Sequence, residues 1–148
     1  MAVENVETIE IDGGIVAIIV RARFGAHGVH FFTPGSFSQQ LGHIQHAAGV
    51  IIQPHIHLPV KREVLHTNEV LIVKKGRLRV DLYTEGKEYR CSRIIESGDV
   101  ILLVTGGHGF EVLEDVEMIE VKQGPFAGDT DKLCFPYDPA VLKADGAR

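Results

Sequence analysis

The stretch "EVLIVKKGRLRVDLYTEGKEYRCSRIIESGDVILLV", residues 69–104, decides the fold class of this chain. Within it, "RLRVDLY" (77–83) alternates polar and apolar side chains, which predicts a strand with one buried face in an antiparallel sheet. Residues that favour turns interrupt the stretch, as at Gly76 and Glu85-Gly86. The stretch therefore predicts several short strands joined by hairpin turns.

Segments of the same kind occur along most of the chain and predict an all-β protein. They cover residues 6–11, 15–24, 36–47, 50–57, 69–75, 77–84, 87–95, 99–104, 109–113 and 116–122. Glu114-Asp115 is expected to form a turn between the last two, and residues 139–143 are the best candidate for a short helix. About ten short strands at this spacing predict an antiparallel barrel or a double-sheet sandwich, in a single domain over residues 1–148.

The composition limits the classes of function. The net charge of −5 gives no overall positive electrostatic potential that would attract nucleic acid, so we expect no nucleic-acid partner. The longest apolar run, "IVAIIV", has about a third of the length that a membrane-spanning helix needs, so we expect no membrane partner. The N-terminal residues include early acids and no apolar signal region, and Cys91 and Cys134 are most simply reduced thiols. These features favour a cytoplasmic protein.

His55 and His57 are the first candidates for chemistry. If the surrounding segment is a strand, their side chains project to the same side, because residues two apart share a face. Imidazole is a common ligand for divalent transition metals, and such an ion needs at least three converging groups. His108 follows two glycines at the start of a predicted strand, and Glu69 opens the strand expected to return beside the two histidines.

Two spaced motifs in this region resemble those of the cupin superfamily. The residues of the first motif are Gly49, His55, His57, Glu69 and Gly76, and those of the second are Gly98, Gly106 and His108. The first motif reproduces the family's spacing from glycine to histidine and from glutamate to glycine. The resemblance covers roughly residues 38–122, which is most of the chain.

The resemblance implies a double-stranded β-helix, or jelly-roll, barrel with its core at about residues 38–122. Residues 6–32 would supply N-terminal strands, and residues 123–148 would form a short irregular C-terminal extension. It also implies one divalent ion (Zn, Mn, Fe or Ni) with four ligands, which would be His55, His57, Glu69 and His108. Cupins commonly pair through sheet edges, so a homodimer is expected, with strand 6–11 or the C-terminal tail at its interface.

The chain departs from the family pattern at two places. Eleven residues separate His57 from Glu69 where the family has three or four, so Glu63 is an alternative carboxylate ligand. Glu69 is preferred because it keeps the family distance to the glycine that closes the motif. Val104 occupies the position of the family's proline, and the gap from there to His108 is one residue short.

The long loop and its neighbours supply candidates for substrate binding. Lys61 and Arg62 directly follow the histidine pair and could meet an anionic substrate at the barrel mouth, although an exposed loop tip is the default expectation. Glu63, His66 and His46 are the available general acids or bases beside a metal, and His66 could instead cap the site.

The function implied is that of a metal-binding protein that binds or acts on a small polar molecule, with a sugar derivative as one class. Three histidines and one glutamate leave coordination positions open, which is typical of catalytic sites. Isomerase-type or dioxygenase-type chemistry would follow from Lewis-acid polarisation or from activation of O₂. A ligand-binding or sensing cupin without catalysis, and a metal-free isomerase that uses histidine as acid and base, are the alternatives. The catalytic residues are not decided by the sequence.

Overall fold

The computed structural model describes residues 3–144, with the backbone alone for 142–144. The chain divides into two compact units, one formed by Met1–Phe24 with His66–Arg148 and the other by Gly25–Leu65. The single domain expected over residues 1–148 stays a prediction.

Strands make up nearly all of the regular secondary structure. They are β1 (Val6–Ile11), β2 (Gly14–Val20), β3 (Gly28–Phe31), β4 (Gly42–Gln45), β5 (Glu69–Tyr83), β6 (Tyr89–Glu96), β7 (Val100–Leu103) and β8 (Gly107–Lys122). A 3₁₀ turn spans Gly128–Asp131, and one short helix, α1, spans Pro139–Ala144. The prediction of an almost all-β protein is confirmed, and the jelly-roll barrel of the cupin superfamily stays a prediction.

The first unit contains a curled antiparallel sheet of six strands. Its order is β1-β2-β7-β5-β6, and β8 pairs with β5. On one edge of β5, Glu69–Ile72 pair with β7 and Arg77–Tyr83 pair with β6. The other edge of β5 pairs with β8 along most of its length. The long strand β5 is therefore the centre of the sheet.

The core of the first unit is formed by buried side chains of the sheet and follows the alternation in the sequence in part. Leu78, Val80 and Leu82 are almost completely buried, as the pattern of residues 77–83 predicted, but Asp81 and Tyr83 on the opposite face are buried as well. The last five residues of β2 are all buried, and this strand lies between β1 and β7 in the sheet. Burial of each large aliphatic side chain contributes about 1.5–3 kcal/mol, so these strands hold the unit together.

Gly76 allows the ribbon formed by β5 and β8 to bend in its middle. The register between the two strands shifts three times between Val73 and Leu78. Gly76 has a φ angle of 83°, and a Cβ atom there would lie 2.0 Å from the carbonyl oxygen of Asp115. Only glycine fits this close backbone approach. The register shifts mark β-bulges, which increase the bending and the twist of the paired strands.

Several predicted boundaries are wrong for related reasons. Residues 69–75 and 77–84 are parts of one strand, and so are 109–113 and 116–122. Gly76 and Glu114-Asp115 mark bulges instead of hairpin turns, since turn-favouring residues also suit bulges. Residues 50–57 do not form a strand. The short helix expected at 139–143 is confirmed.

The second unit contains a two-stranded hairpin followed by an irregular segment. β3 pairs with β4, with Val29 opposite Ile44. The connection between them is held by the Gln40 amide, which donates to the carbonyl oxygens of Pro34 and Phe37 at 2.9 and 3.0 Å. Residues 46–65 follow, and all of them are exposed.

The helical segments in the described residues contain four and six residues, and neither has the length or apolar character of a membrane span.

Candidate functional site

Glu69 is fixed at the start of β5 by the residue that precedes it. Asn68 is buried, and its side-chain amide donates to the carbonyl oxygen of Val104 at 2.8 Å. Its own carbonyl accepts from the backbone N–H of Gln123 at 3.0 Å. These two hydrogen bonds connect the start of β5 to the residues that follow β7 and β8. They place Glu69 in a defined position.

His108 is placed by the tight turn between β7 and β8. Gly106 has a φ angle of 75°, and a Cβ atom there would lie 2.5 Å from the carbonyl oxygen of Tyr83. The chain can pass over the end of β5 only because this position is glycine. His108 follows as the second residue of β8 and lies opposite Leu82 of β5.

The side chains of Glu69 and His108 meet. The distance from His108 Nε2 to Glu69 Oε2 is 3.0 Å, and Lys122 Nζ lies 3.6 Å from Glu69 Oε1. The hydrogen bond with His108 is the main cause that lowers the pKa of Glu69 below its ordinary value, with burial acting in the opposite direction. The carboxylate is therefore held in its charged form beside one imidazole and one ammonium group.

A cavity of about 410 Å³ opens beside this group, and all of its lining residues belong to the first unit. Its polar part includes Glu69, His108, Lys122 and Thr105, and also His66, Thr67, Asp131 and Lys132. An aromatic part is formed by Tyr83 and Phe135, whose rings pack edge to face with centroids 5.1 Å apart, and by Tyr137. Burial is the main cause that raises the pKa of Tyr83. A concave site with both parts suits a small ligand that is polar at one end.

The C-terminal tail forms one side of the cavity and is attached at two points. Thr67 donates a hydrogen bond to Asp131 at 3.2 Å. Further along, Arg79 donates to the hydroxyl of Tyr137 at 2.7 Å, and that hydroxyl donates to Glu111 at 3.3 Å. The tail residues between these attachments, including Cys134, line the cavity.

His55 and His57 form a second pair, within the second unit. Their ring centroids are 5.2 Å apart, in an edge-to-face arrangement, although the segment is not a strand. His55 Nδ1 lies 3.0 Å from the carbonyl oxygen of Gln53. If Nδ1 carries the proton in this contact, the lone pair of His55 Nε2 is available to a metal ion.

The other predicted residues divide between the two units. Lys61, Arg62, Glu63 and His46 are exposed residues of the second unit. His66 is exposed as well, but it belongs to the first unit and lines the cavity, where it could cap a ligand as the sequence suggested.

The four predicted metal ligands occur as two pairs. Over the part of the chain that the structure describes, no three His, Cys, Asp or Glu side chains form a group that could hold an ion. Each pair has the right chemistry, since imidazole and carboxylate are the ligands that Zn, Mn, Fe and Ni accept. Neither pair alone supplies the three ligands that a protein metal site needs.

Comparison of the chain with protein-family models, with curated proteins and with solved structures finds no match. Membership of the cupin superfamily therefore stays a proposal.

Several cavity residues were missed by sequence reasoning. Lys122 lies directly opposite Glu69 in the β5–β8 ladder, so the strand register, if known, would have identified Lys122 as a residue of the site. Phe135 and Tyr137 lie in an irregular tail with no periodic pattern, and no signal in the sequence places them at the site.

Proposed function

We propose that this protein is a cupin-like metal-binding protein that receives a small polar molecule in the cavity at Glu69 and His108. The observation that carries the proposal is the 3.0 Å contact between His108 Nε2 and Glu69 Oε2 beside a cavity of about 410 Å³. A carboxylate and an imidazole held this close can both contact a single divalent ion. Zn, Mn, Fe and Ni all accept this combination of ligands.

A bound divalent ion would supply a Lewis acid for a carbonyl or enolate oxygen of the ligand. Around it, Lys122 places a positive charge beside Glu69, which favours a ligand with an anionic or strongly polar group. The rings of Tyr83 and Phe135 offer an apolar surface against which the rest of the ligand can pack. A sugar derivative, with polar edges and an apolar face, fits these two surfaces.

The reaction class follows from what the ligand presents to the ion. Isomerase-type chemistry would polarise a carbonyl group, and dioxygenase-type chemistry would also require O₂. A protein that only binds or senses the same small molecule would use the same cavity without turnover. Turnover of candidate sugars under air and under nitrogen separates these cases.

A second function, proton transfer without a metal, is favoured by the same hydrogen bond. A carboxylate that accepts a hydrogen bond from an imidazole orients the ring for general acid or base catalysis. His108 would then be the catalytic residue and Glu69 its positioning residue, acting on a sugar derivative such as a sugar nucleotide.

Calorimetric titration with Zn²⁺ tests the metal function. The wild-type protein is expected to bind Zn²⁺, and Glu69→Gln is expected to lower its affinity by at least about 10- to 100-fold, the range seen for less direct changes near metal sites. Glu63→Gln is the matched control, because Glu63 is the alternative carboxylate and lies exposed in the second unit. No Zn²⁺ binding by the wild type would overturn the metal function and leave proton transfer at His108. A loss of Zn²⁺ affinity in Glu63→Gln, with no loss in Glu69→Gln, would show that the carboxylate ligand is Glu63.

A further inference from the structure

The tail that follows β8 is held to the sheet by side chains. The backbone N–H of Gln123 donates to the chain just before β5 at 3.0 Å, and this is the last backbone hydrogen bond from the tail to the sheet among the described residues. A Cβ atom at Gly124 or at Gly128 would meet nothing within 4 Å. Residues 129–137 are exposed, apart from Phe135, which is partly buried. A segment with few buried contacts and no ladder hydrogen bonds can open while the rest of the domain stays folded.

Two of the contacts that hold this tail lie at the cavity. Asp131 accepts a hydrogen bond from the hydroxyl of Thr67 at 3.2 Å. The ring of Phe135 fills a notch above Gly107, where a Cβ atom would lie 3.0 Å from the ring carbon Cζ. Residues 132–134, between these two contacts, line the cavity. The tail therefore forms a wall of the cavity that is attached at both of its ends.

The third contact, at Tyr137, has the properties of a latch. Its hydroxyl accepts a hydrogen bond from Arg79 at 2.7 Å and donates one to Glu111 at 3.3 Å. Arg79 is itself fixed by two hydrogen bonds to the buried carboxylate of Asp81, so the sheet presents a rigid partner. Tyr137 is 50% exposed, and water can replace both of its hydrogen bonds when the tail leaves.

We infer that residues 131–137 form a strap that opens and closes over the cavity, and that the Tyr137 latch sets how often it opens. In the closed state the strap runs from the start of β5 to the β5–β8 ladder and forms one wall of the cavity beside Glu69 and His108. In the open state the sheet stays folded, because its strands include no strap residue. A ligand enters and leaves through the open state. This role as a gate rests on the proposed function, since it requires a ligand in the cavity.

Hydrogen exchange followed by mass spectrometry tests the opening without any ligand. In the wild type, the strap amides are expected to exchange faster than those of the buried strand β5, because the strap opens locally. Tyr137→Phe removes only the latch hydroxyl, so it should speed exchange in the strap by about 10-fold and leave β5 unchanged. Equal strap exchange in the wild type and in Tyr137→Phe would overturn the latch. Strap exchange as slow as that of β5 would overturn the opening itself.

A matched pair of glycine variants tests the contact of Phe135 from the side of the sheet. Gly107→Ala places a Cβ atom 3.0 Å from the Phe135 ring and 3.1 Å from Cβ of Tyr83, so the ring must shift and the strap should exchange faster. Gly109→Ala is the control, two residues further along the same strand, because its Cβ atom would meet only the Tyr83 ring at 3.9 Å, an ordinary contact. Circular dichroism checks that both variants keep their β structure. Equal strap exchange in the two variants would overturn Phe135 as an anchor of the strap.

The kinetics of Zn²⁺ binding and release test the gate, with stopped-flow transfer of the ion to a chromophoric chelator as the measurement. Tyr137→Phe leaves Glu69 and His108 in place, so the affinity should change little, while binding and release should both become faster by a similar factor. A lower affinity with an unchanged binding rate would show that the strap is a fixed wall, and would overturn the gate. A wild type that binds no Zn²⁺ would overturn the proposed metal function, and hydrogen exchange would still decide whether the strap opens.

Discussion

Glu69 and His108 lie near opposite ends of the β5–β8 ladder, yet their side chains are 3.0 Å apart. Glu69 is paired with Lys122 at one end of the ladder, and His108 is paired with Leu82 at the other. For the two ends to meet, the ribbon must curve, and the irregular pairing around Gly76 favours such curvature. The curvature of this ribbon thus contributes to the site, together with the turn at Gly106 that precedes His108.

Replacement of Gly76 by alanine is expected to destabilise the protein and to disturb the site. A left-handed backbone costs a residue with a Cβ atom about 1–2 kcal/mol, and the new atom would also overlap the carbonyl of Asp115. We expect a loss of at least about 2 kcal/mol in the free energy of unfolding, measured by urea denaturation. Gly35→Ala is the control, because a Cβ atom there meets nothing within 4 Å. Equal stability of the two variants would show that the bend does not depend on glycine.

The pH dependence of stability is expected to report on Glu69. Its pKa is lowered in the folded protein from an ordinary value of 4.5, mainly by the hydrogen bond with His108. The charged carboxylate therefore contributes stability above pH 4.5, and this contribution is lost as the pH falls through the lower folded value. The difference in unfolding free energy between the wild type and Glu69→Gln should shrink on acidification below that pH. A difference that stays constant from pH 6 to about pH 3 would contradict the contact.

Asp81 is expected to be the most sensitive charged residue of the core. Its side chain is completely buried, accepts a hydrogen bond from Arg79 at 2.7 Å and accepts another from the hydroxyl of Ser92 at 2.6 Å. Removing one partner of a buried ion pair costs about 3–5 kcal/mol, so Asp81→Ala should lower the unfolding free energy by about that amount. Asp129→Ala, at an exposed position, is the control and should have little effect. Similar midpoints of thermal unfolding for both variants would refute the assignment.

Lys122 is expected to govern affinity for anionic ligands. A hydrogen bond to a charged group contributes about 1.5–3 kcal/mol, so Lys122→Met should weaken binding of a sugar phosphate by about 10- to 100-fold. The double variant Lys61→Ala, Arg62→Ala tests the loop hypothesis in the same titration, and weaker binding is expected there if residues 58–68 meet the ligand. Unchanged affinity in that double variant would assign both loop residues to ordinary solvated surface. Unchanged affinity in Lys122→Met would show that the charge of Lys122 does not contribute to the binding of anionic ligands.

The sequence predicted several of the strands from side chains that alternate or form an apolar run, although residues 50–57 do not form one. Leu78, Val80 and Leu82 are an example, because alternation with a period of two has one structural explanation. It also pointed to Glu69 and His108 as residues of one site, from motif spacing alone, and the structure brings these two together. Metal binding by them stays a prediction.

The rest depended on information that local sequence does not contain. Gly76 favours a turn and a bulge alike, and only the pairing of distant strands decides between them. Residues 50–57 have the composition of a strand, but a strand exists only when its backbone finds a partner, and this segment has none in the described chain. The cavity wall formed by Phe135 and Tyr137 comes from a tail that has no periodic pattern.

Anomalous X-ray diffraction from crystals grown with Zn²⁺ tests the central claim most directly. The proposed metal function predicts an anomalous peak in the cavity, with a Glu69 oxygen and a His108 nitrogen about 2.0–2.2 Å away. No peak, or a peak away from the cavity with the hydrogen bond between Glu69 and His108 still intact, would contradict the proposed metal centre.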